Sequence, residues 1–181
     1  MTSGRIFWTA VAAVVSGVVS VAQIPVIDEP RHRVVYEDAR VRVLDVRVPP
    51  GDVTLEHGHD RDLATVYLAP SSSRIRNAVE NRRAGGWSQG PPLQAPDTTL
   101  LREHRSFRLY AVRATPGRPV RHVHGVPAVV VVVSGSVVDD GGRRHPALQA
   151  SAMGQWLVEA GRAHTVTADD SGAELVEIDV R

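Results

Sequence analysis

The stretch that decides the fold is Val46-Arg47-Val48-Pro49-Pro50-Gly51 followed by His57-Gly58-His59, and it recurs as Val112-Arg113-Ala114-Thr115-Pro116-Gly117 followed by His122-Val123-His124. In each copy an apolar run reaches a Pro-Gly turn, and a short extended segment then carries two histidines. Side chains at positions i and i+2 of a strand lie on the same face. Each pair can therefore direct two imidazoles at one point, and each copy predicts half of a metal site.

Short β-rich runs separated by Pro, Gly, Asp and Ser continue on both sides of these motifs, and residues 40–48 alternate most clearly. No long amphipathic helix pattern occurs. Regularly spaced short strands predict an antiparallel sandwich or barrel. Residues 129–133 form a continuous apolar run, which indicates a strand covered on both faces. Residues 139–144 are typical of a hairpin tip, and residues 81–99 of an irregular crossover.

Composition limits the chemistry that this chain can perform. A length of 181 residues suits one domain or two small halves that share a core. The 21 basic and 20 acidic residues nearly cancel, so charge gives no reason to expect a nucleic acid partner. The chain has no cysteine and all its basic residues are arginine, which excludes thiol nucleophiles, thiolate metal ligands, disulfides and Schiff-base lysines. The remaining chemistry rests on His, Asp, Glu, Tyr, Ser, Thr or a metal.

Residues 1–22 have the pattern of an export signal. Arg5 precedes an apolar run over residues 6–21, and Ser20-Val21-Ala22 offers the small residues that signal peptidase recognises. We expect cleavage after Ala22, a secreted or periplasmic location, and no stable membrane association afterwards. An uncleaved membrane anchor is the alternative, because no charge occurs between Arg5 and Asp28.

The two motifs resemble those of the cupin superfamily, and more narrowly its small exported two-copy members. Gly51 with His57 and His59 matches the opening of the family's first motif, and Gly117 with His122 and His124 matches it with one residue fewer. Gly161-Arg162-Ala163-His164 matches the core of the second motif, and residues 133–137 are similar to the turn between two cupin strands. The resemblance implies an all-β double-stranded β-helix in which two compressed cupin units, residues 23–105 and 106–181, pack together.

The resemblance also implies the metal ligands. They are three histidines in each unit: His122, His124 and His164 in the second, and His57, His59 and His104 in the first. The family's glutamate ligand would fall at Ala128 or Val129, and at Leu63 or Ala64, so we expect no carboxylate in either set. Three neutral imidazoles suit a divalent Fe, Mn, Ni, Zn or Cu ion, and affinity order alone does not choose among them.

Two functions follow from this reading. The first is an exported metal-binding protein that acts as an oxygenase, isomerase or hydrolase on a small oxygenated substrate, with no catalytic residue yet assigned. The second is a non-catalytic β-barrel that binds a small ligand or a metal, or mediates homodimerisation, and the missing glutamates favour it. Occupancy of one unit or of both stays open.

Four further residues carry smaller expectations. We expect His32 and His145 to lie in surface segments with no role. Arg113 or Arg121, near the predicted barrel mouth, is a candidate to bind a carboxylate.

Overall fold

The computed structural model describes residues 12–15, 24–68, 74–82 and 92–181, and this part of the chain is almost entirely β. The strands of the first half are β1 (Ala12–Val15), β2 (Ile24–Pro25), β3 (His32–Glu37), β4 (Val41–Val48), β5 (His57–Gly58), β6 (Asp62–Tyr67) and β7 (Arg74–Asn81). Those of the second half are β8 (Thr98–Glu103), β9 (Phe107–Ala114), β10 (Val120–Val123), β11 (Ala128–Asp139), β12 (Arg144–Pro146), β13 (Gln155–Val158) and β14 (Ala163–Val180). Two single-turn 3₁₀ helices span Val26–Asp28 and Ala152–Gly154. The predicted all-β class is confirmed.

The strands form two large antiparallel sheets, one from each half of the described chain. The first has the order β1-β6-β7-β4-β3, and the second has the order β12-β11-β14-β9-β8, with β10 also paired to β14 and β13 to β11. Strands β2 and β5, also from the first half, form a separate short parallel pair. In the part of the chain that the structure describes, no helix has the length and hydrophobicity needed to cross a bilayer.

One apolar layer joins the two sheets. Its buried side chains come from β4, β6 and β7 on one side and from β9, β11 and β14 on the other: Val41, Val43, Ala64, Val66, Val79, Phe107, Leu109, Val129, Val131, Val176, Ile178 and Val180. The alternate residues of β11, Ala128, Val130 and Val132, belong to a second cluster on its opposite face. Residues 129–133 are therefore covered on both faces, as the sequence predicts, and each fully buried valine contributes roughly 1.5–3 kcal/mol.

Two features expected from the sequence, a boundary between units and a turn, differ from the structure. The boundary expected at residue 105 falls in the turn of a hairpin, because β8 pairs with β9 inside the second sheet. The turn expected at residues 133–137 is absent, since β11 runs straight through it with register shifts on either side of Gly135. Gly135 has φ +75° and a side chain there would collide with the backbone of Gly172, so the glycine permits a bulge rather than a reversal.

The ends and crossovers bear on the remaining predictions. The hairpin tip expected at residues 139–144 is confirmed, because β11 and β12 pair across it. Of the expected export signal, residues 1–11 and 16–22 lie outside the described residues, whereas β1 (Ala12–Val15) pairs antiparallel with β6. Much of the expected crossover, residues 83–91, also lies outside them. Export and cleavage stay predictions.

Candidate metal centre

Four buried side chains converge in the second half of the chain. His122 on β10 is paired directly with His164 at the start of β14, and cross-strand partners have neighbouring side chains. His124 follows two residues after His122 and shares its buried face. Glu177 comes from the far end of the same long strand β14, which lies between β9 and β11. The group is thus assembled from three separate stretches of sequence.

The ligand atoms of this group point at one another. His164 Nε2 lies 2.8 Å from His122 Nε2 and 3.2 Å from His124 Nε2. Glu177 Oε2 lies 2.7 Å from His122 Nε2 and 3.2 Å from His124 Nε2. One atom from each of the four residues fits within 4.8 Å of all the others. Among the residues that the structure describes, no other group of three or more His, Asp or Glu side chains brings its ligand atoms this close together.

Coordination of a divalent cation explains this arrangement better than hydrogen bonds among the four side chains do. Ligands held about 2.1 Å from one ion lie roughly 3.0–3.4 Å apart, only a few tenths of an ångström more than the contacts seen here. Without an ion, the described part of the chain offers no hydrogen-bond partner to the buried Glu177 Oε1. Buried polar atoms without partners are costly. A shared cation would satisfy the inward-facing nitrogens and the carboxylate together.

The protonation states prepare two of the ligands for a cation. Burial lowers the pKa of His164 to about 4, so its imidazole is neutral at physiological pH. Burial opposes the charge of Glu177, yet hydrogen bonds from His122 and His124 hold the pKa of its carboxyl well below the ordinary value. Burial also opposes the charge of His124, but hydrogen bonds to Asp179 and Glu177 outweigh it and raise its pKa to about 9. Metal binding would displace the proton from His124 Nε2.

A second carboxylate fixes the orientation of His124. His124 Nδ1 donates a hydrogen bond to Asp179 Oδ1 at 2.6 Å, which leaves Nε2 facing the other ligands. Asp179 Oδ2 accepts a hydrogen bond from the Tyr110 hydroxyl at 3.3 Å, and the Tyr110 oxygen accepts one from the backbone N–H of Leu93 at 3.0 Å. A chain of hydrogen bonds thus connects the segment before β8 with the candidate centre.

A cavity of about 430 Å³ opens beside His122 and His124. Residues 92–96 form one of its walls, and Arg121 and Gly161 form others. Arg121 is exposed and forms no ion pair with any residue that the structure describes. The cavity is large enough for a small organic molecule next to the histidines.

The structure corrects the expected ligand set. The three predicted histidines of the second unit are together, but the expectation that no carboxylate joins them is wrong. In the register of the sheet, Glu177 lies opposite Val130 and Asp179 lies opposite Ala128, so the acid comes from the strand neighbouring the one on which the family motif predicts it. The signal was in the sequence, because Glu177 and Asp179 share one face of residues 175–180, which are otherwise apolar.

In the first half the expected trio is not assembled. His57 and His59 have ring centroids 5.0 Å apart. His104, however, lies in the turn between β8 and β9, which belongs to the other sheet, and its Nδ1 accepts a hydrogen bond from the Ser106 N–H. The strand pairing that joins β8 to β9 therefore separates His104 from the pair it was expected to complete.

The expectation that His32 and His145 lie at the surface is wrong, since both are buried. His145 donates to Met153 O at 2.8 Å and to Asp139 Oδ2 at 2.9 Å, and its ring stacks on Trp156 with centroids 3.9 Å apart. These contacts hold the β11–β12 hairpin against β13. His32 lies instead beside His57, with ring centroids 4.5 Å apart.

Comparisons with known proteins find similar solved structures but no family. No protein-family model matches the chain, and neither does the sequence of any curated protein. Among solved structures, the chain is similar to one in the complex of Rhodobacter sphaeroides SigE with the anti-sigma ChrR (TM-score 0.38, 15% identity), over 45% of this chain and 43% of that one. It is also similar to a cupin-2 domain protein from Shewanella frigidimarina (TM-score 0.37, 18% identity, 49% and 84%).

A third similar structure is a cupin superfamily protein from Desulfitobacterium hafniense, with TM-score 0.38 and 14% identity over 54% of this chain and 97% of that one. The chain spans less than half of the Rhodobacter chain that it matches. With TM-scores of at most 0.38 and identities of at most 18%, these similarities do not assign the chain to a family.

Proposed function

We propose that this protein binds one divalent transition metal ion through His122, His124, His164 and Glu177, and that it is a two-unit protein of the cupin type. The observation that carries the proposal is the convergence of three imidazole nitrogens and one carboxylate oxygen within 4.8 Å in a buried position. Nitrogen and carboxylate ligands in this combination suit Mn, Fe, Ni, Zn or Cu. The motif resemblance supports the same reading.

We further propose that the ion serves catalysis on a small oxygenated substrate in the adjoining cavity. An ion that accepts six ligands keeps two positions beyond the four protein ligands, and when bound it would polarise an oxygen of the substrate. Arg121 lies in the same cavity as His122 and is placed to pair with an anionic group of that substrate. Asp179 holds His124 in the tautomer that presents Nε2. Oxygenase, isomerase and hydrolase activities are all compatible with these roles.

The non-catalytic alternative has lost the observation that favoured it. That observation was the missing glutamate, and Glu177 supplies a carboxylate from the next strand. Export to the periplasm or the outside of the cell, and homodimer formation, remain part of the proposal on the strength of the N-terminal sequence pattern and the resemblance.

The proposal is tested by the metal content of purified protein. We expect elemental analysis to find that His164→Ala lowers the metal content by one equivalent per chain relative to the unchanged protein. His104→Ala is the matched control, because it removes a histidine that lies in a turn away from the centre, and its metal content should not change. Equal metal content in the unchanged protein and in His164→Ala would refute the proposal.

Catalysis is tested separately. Removing the metal with a chelator should abolish turnover of a small carboxylate substrate, and restoring the metal should recover it. Ligand binding with the same affinity in metal-free and metal-loaded protein, and no turnover in either, would instead identify a non-catalytic binding module.

A further inference from the structure

The first half of the chain contains a second histidine cluster that the motif resemblance does not describe. His32, at the start of β3, lies against the His57-Gly58-His59 motif. The ring centroids of His32 and His57 are 4.5 Å apart, those of His57 and His59 are 5.0 Å apart, and those of His32 and His59 are 6.3 Å apart. His32 comes from a stretch of sequence that precedes the whole motif.

His32 is an unusual buried residue. Its side chain is 2% exposed, and neither ring nitrogen has a hydrogen-bond partner in the described part of the chain. A buried imidazole without hydrogen-bond partners is energetically costly. Such a group therefore needs an explanation, and binding of an ion is one. Glu29 has its Oε2 atom 3.9 Å from His32 Nε2, which is beyond hydrogen-bond range.

The neighbouring contacts hold His32 against the motif. The buried carboxylate of Glu29 accepts hydrogen bonds from the backbone N–H of Arg31 at 2.7 Å and of Leu55 at 3.1 Å. The first contact orders the chain just before His32, and the second ties it to the segment just before His57. The parallel pairing of β2 with β5 joins the same two regions, with Ile24 opposite His57. The position of His32 is therefore built into the fold.

The other two histidines each keep one nitrogen available. His57 Nδ1 donates to Leu55 O at 2.7 Å. His59 Nδ1 donates to Glu80 Oε1 at 2.8 Å, and the second oxygen of that carboxylate accepts a hydrogen bond from Arg42 at 2.7 Å. These contacts place a proton on Nδ1 of each ring, and the neutral tautomer with that proton has a lone pair on Nε2 to offer to a cation. The contact with Glu80 has the form in which a carboxylate orients a metal-bound histidine.

We propose that His32, His57 and His59 form a second cation site, which takes a late first-row ion such as Zn²⁺, Cu²⁺ or Ni²⁺. The three imidazoles supply only nitrogen ligands, because Glu80 is engaged with His59 and Arg42 and Glu29 is engaged with backbone N–H groups. Ions that prefer oxygen ligands, such as Mn²⁺, are poorly served by such a set. The two sites should therefore differ in the metals that they accept.

The second site is less well formed than the buried group of four. Its widest ring separation is 6.3 Å, whereas the widest among His122, His124 and His164 is 5.2 Å. Its ligand atoms do not all lie within 4.8 Å of one another, so binding requires at least one pair of them to approach by more than about 1.4 Å. His57 and His59 are only partly buried and have room to do so. The site should bind its ion more weakly than the four-residue group.

The test is a metal titration of the full chain after chelator treatment, followed by desalting and elemental analysis. We expect Zn²⁺ to bind two equivalents per chain, one more weakly than the other, and Mn²⁺ to bind one. His32→Phe and His57→Ala should each lower the Zn²⁺ stoichiometry by one equivalent and leave Mn²⁺ unchanged. His57→Ala is included because its partly exposed side chain is the safer substitution for folding. His104→Ala, the matched control, should keep both Zn²⁺ equivalents.

The experiment separates this site from the proposed function. In His164→Ala the weaker Zn²⁺ equivalent should persist, and adding His57→Ala to that background should remove it. Unchanged Zn²⁺ stoichiometry in both His32→Phe and His57→Ala would overturn the second site and leave the first intact. Loss of an equivalent in those two variants but not in His164→Ala would support the second site and refute the proposed function.

Discussion

The two histidine clusters share a frame and differ in what completes it. In both halves the second histidine of a His-x-His pair donates its Nδ1 proton to an acid, to Glu80 in the first and to Asp179 in the second. The acids occupy matching places in the sheets, because Glu80 is paired with Arg42 and Asp179 with Arg108. Two residues earlier on the same strands, however, Ala78 stands where the second half has Glu177.

This difference teaches that the His-x-His pair and its outer acid orient two ligands but do not make a complete centre. The second half adds a carboxylate from β14 and a third histidine paired across from the first. The first half adds only His32, from β3, a strand that precedes the motif in the chain. The centre with a carboxylate is compact and buried, whereas the all-imidazole cluster is wider and more open.

The largest expected effect comes from removing the residue that distinguishes the two clusters. Glu177→Gln keeps the size of the side chain but removes the anionic ligand. We expect the affinity of the buried centre for Mn²⁺ to fall by more than about 100-fold, since even outer partners of metal ligands are worth 10- to 100-fold. Competition against a fluorescent chelator measures it.

Glu80→Gln is the control for that experiment, because Glu80 orients a histidine of the other cluster. Its Mn²⁺ affinity should equal that of the unchanged protein. If Glu177→Gln also binds Mn²⁺ as the unchanged protein does, the carboxylate is not a ligand and the comparison between the clusters fails.

The second prediction concerns the outer acid that both clusters possess. Asp179→Asn keeps an oxygen that can accept from His124 Nδ1 but removes the charge. We expect the Mn²⁺ affinity of the buried centre to fall by about 10- to 100-fold. Zn²⁺ binding in the first cluster should respond instead to Glu80→Gln. Crossed effects, in which each substitution weakens the other centre, would contradict the assignment of one acid to one cluster.

The sequence predicted the parts of this structure that depend on local spacing. Alternation along β4 and the continuous apolar run of β11 predicted these strands, and the i, i+2 spacing predicted the shared face of His122 and His124. The motif order gave His164. These features require no knowledge of which strand lies beside which.

The features that the sequence missed depend on strand order. Glu177 joins the centre because β14 lies beside β11, and His104 is excluded because β8 pairs with β9. His32 reaches His57 only because the chain before β3 is fastened to the segment before β5. Pairing between distant strands is not encoded in the spacing within any one of them.

The third prediction uses pH to compare the clusters in metal-free protein. Burial, with further contributions from His57, Arg76 and His59, lowers the pKa of His32 to about 4, although Glu29 acts in the opposite direction. His32 therefore becomes protonated near pH 6.5 in the unfolded chain but only near pH 4 in the folded protein. Between these values the stability supported by neutral His32 is lost as pH falls, by up to about 1.4 kcal/mol per pH unit.

Urea unfolding of chelator-treated protein between pH 7 and pH 4 measures this dependence. The slope of the unfolding free energy against pH should be smaller in His32→Phe, because that variant has no imidazole to protonate at the position. A His104→Ala control should keep the slope of the unchanged protein. Equal slopes in the unchanged protein and His32→Phe would mean that His32 is accessible to protons and is not the buried neutral group described above.

The smallest expected effect comes from Tyr110, which is opposite Glu177 in the sheet, as Leu44 is opposite Ala78. Only the second half therefore has a hydroxyl that accepts from Leu93 N–H and donates to Asp179. Tyr110→Phe removes both hydrogen bonds at nearly constant volume, and we expect the unfolding free energy to fall by about 0.5–1.5 kcal/mol. Mn²⁺ affinity should fall by less than tenfold, because Asp179 keeps its contact with His124.

Tyr36→Phe, which loses a hydroxyl bonded to Asp38 at 3.1 Å, is the matched control for stability and should leave Mn²⁺ affinity unchanged. A loss of affinity in Tyr110→Phe as large as that in Asp179→Asn would mean that Asp179 depends on the tyrosine for its position, and the outer acid of the second half would then differ from Glu80, which Arg42 holds by charge.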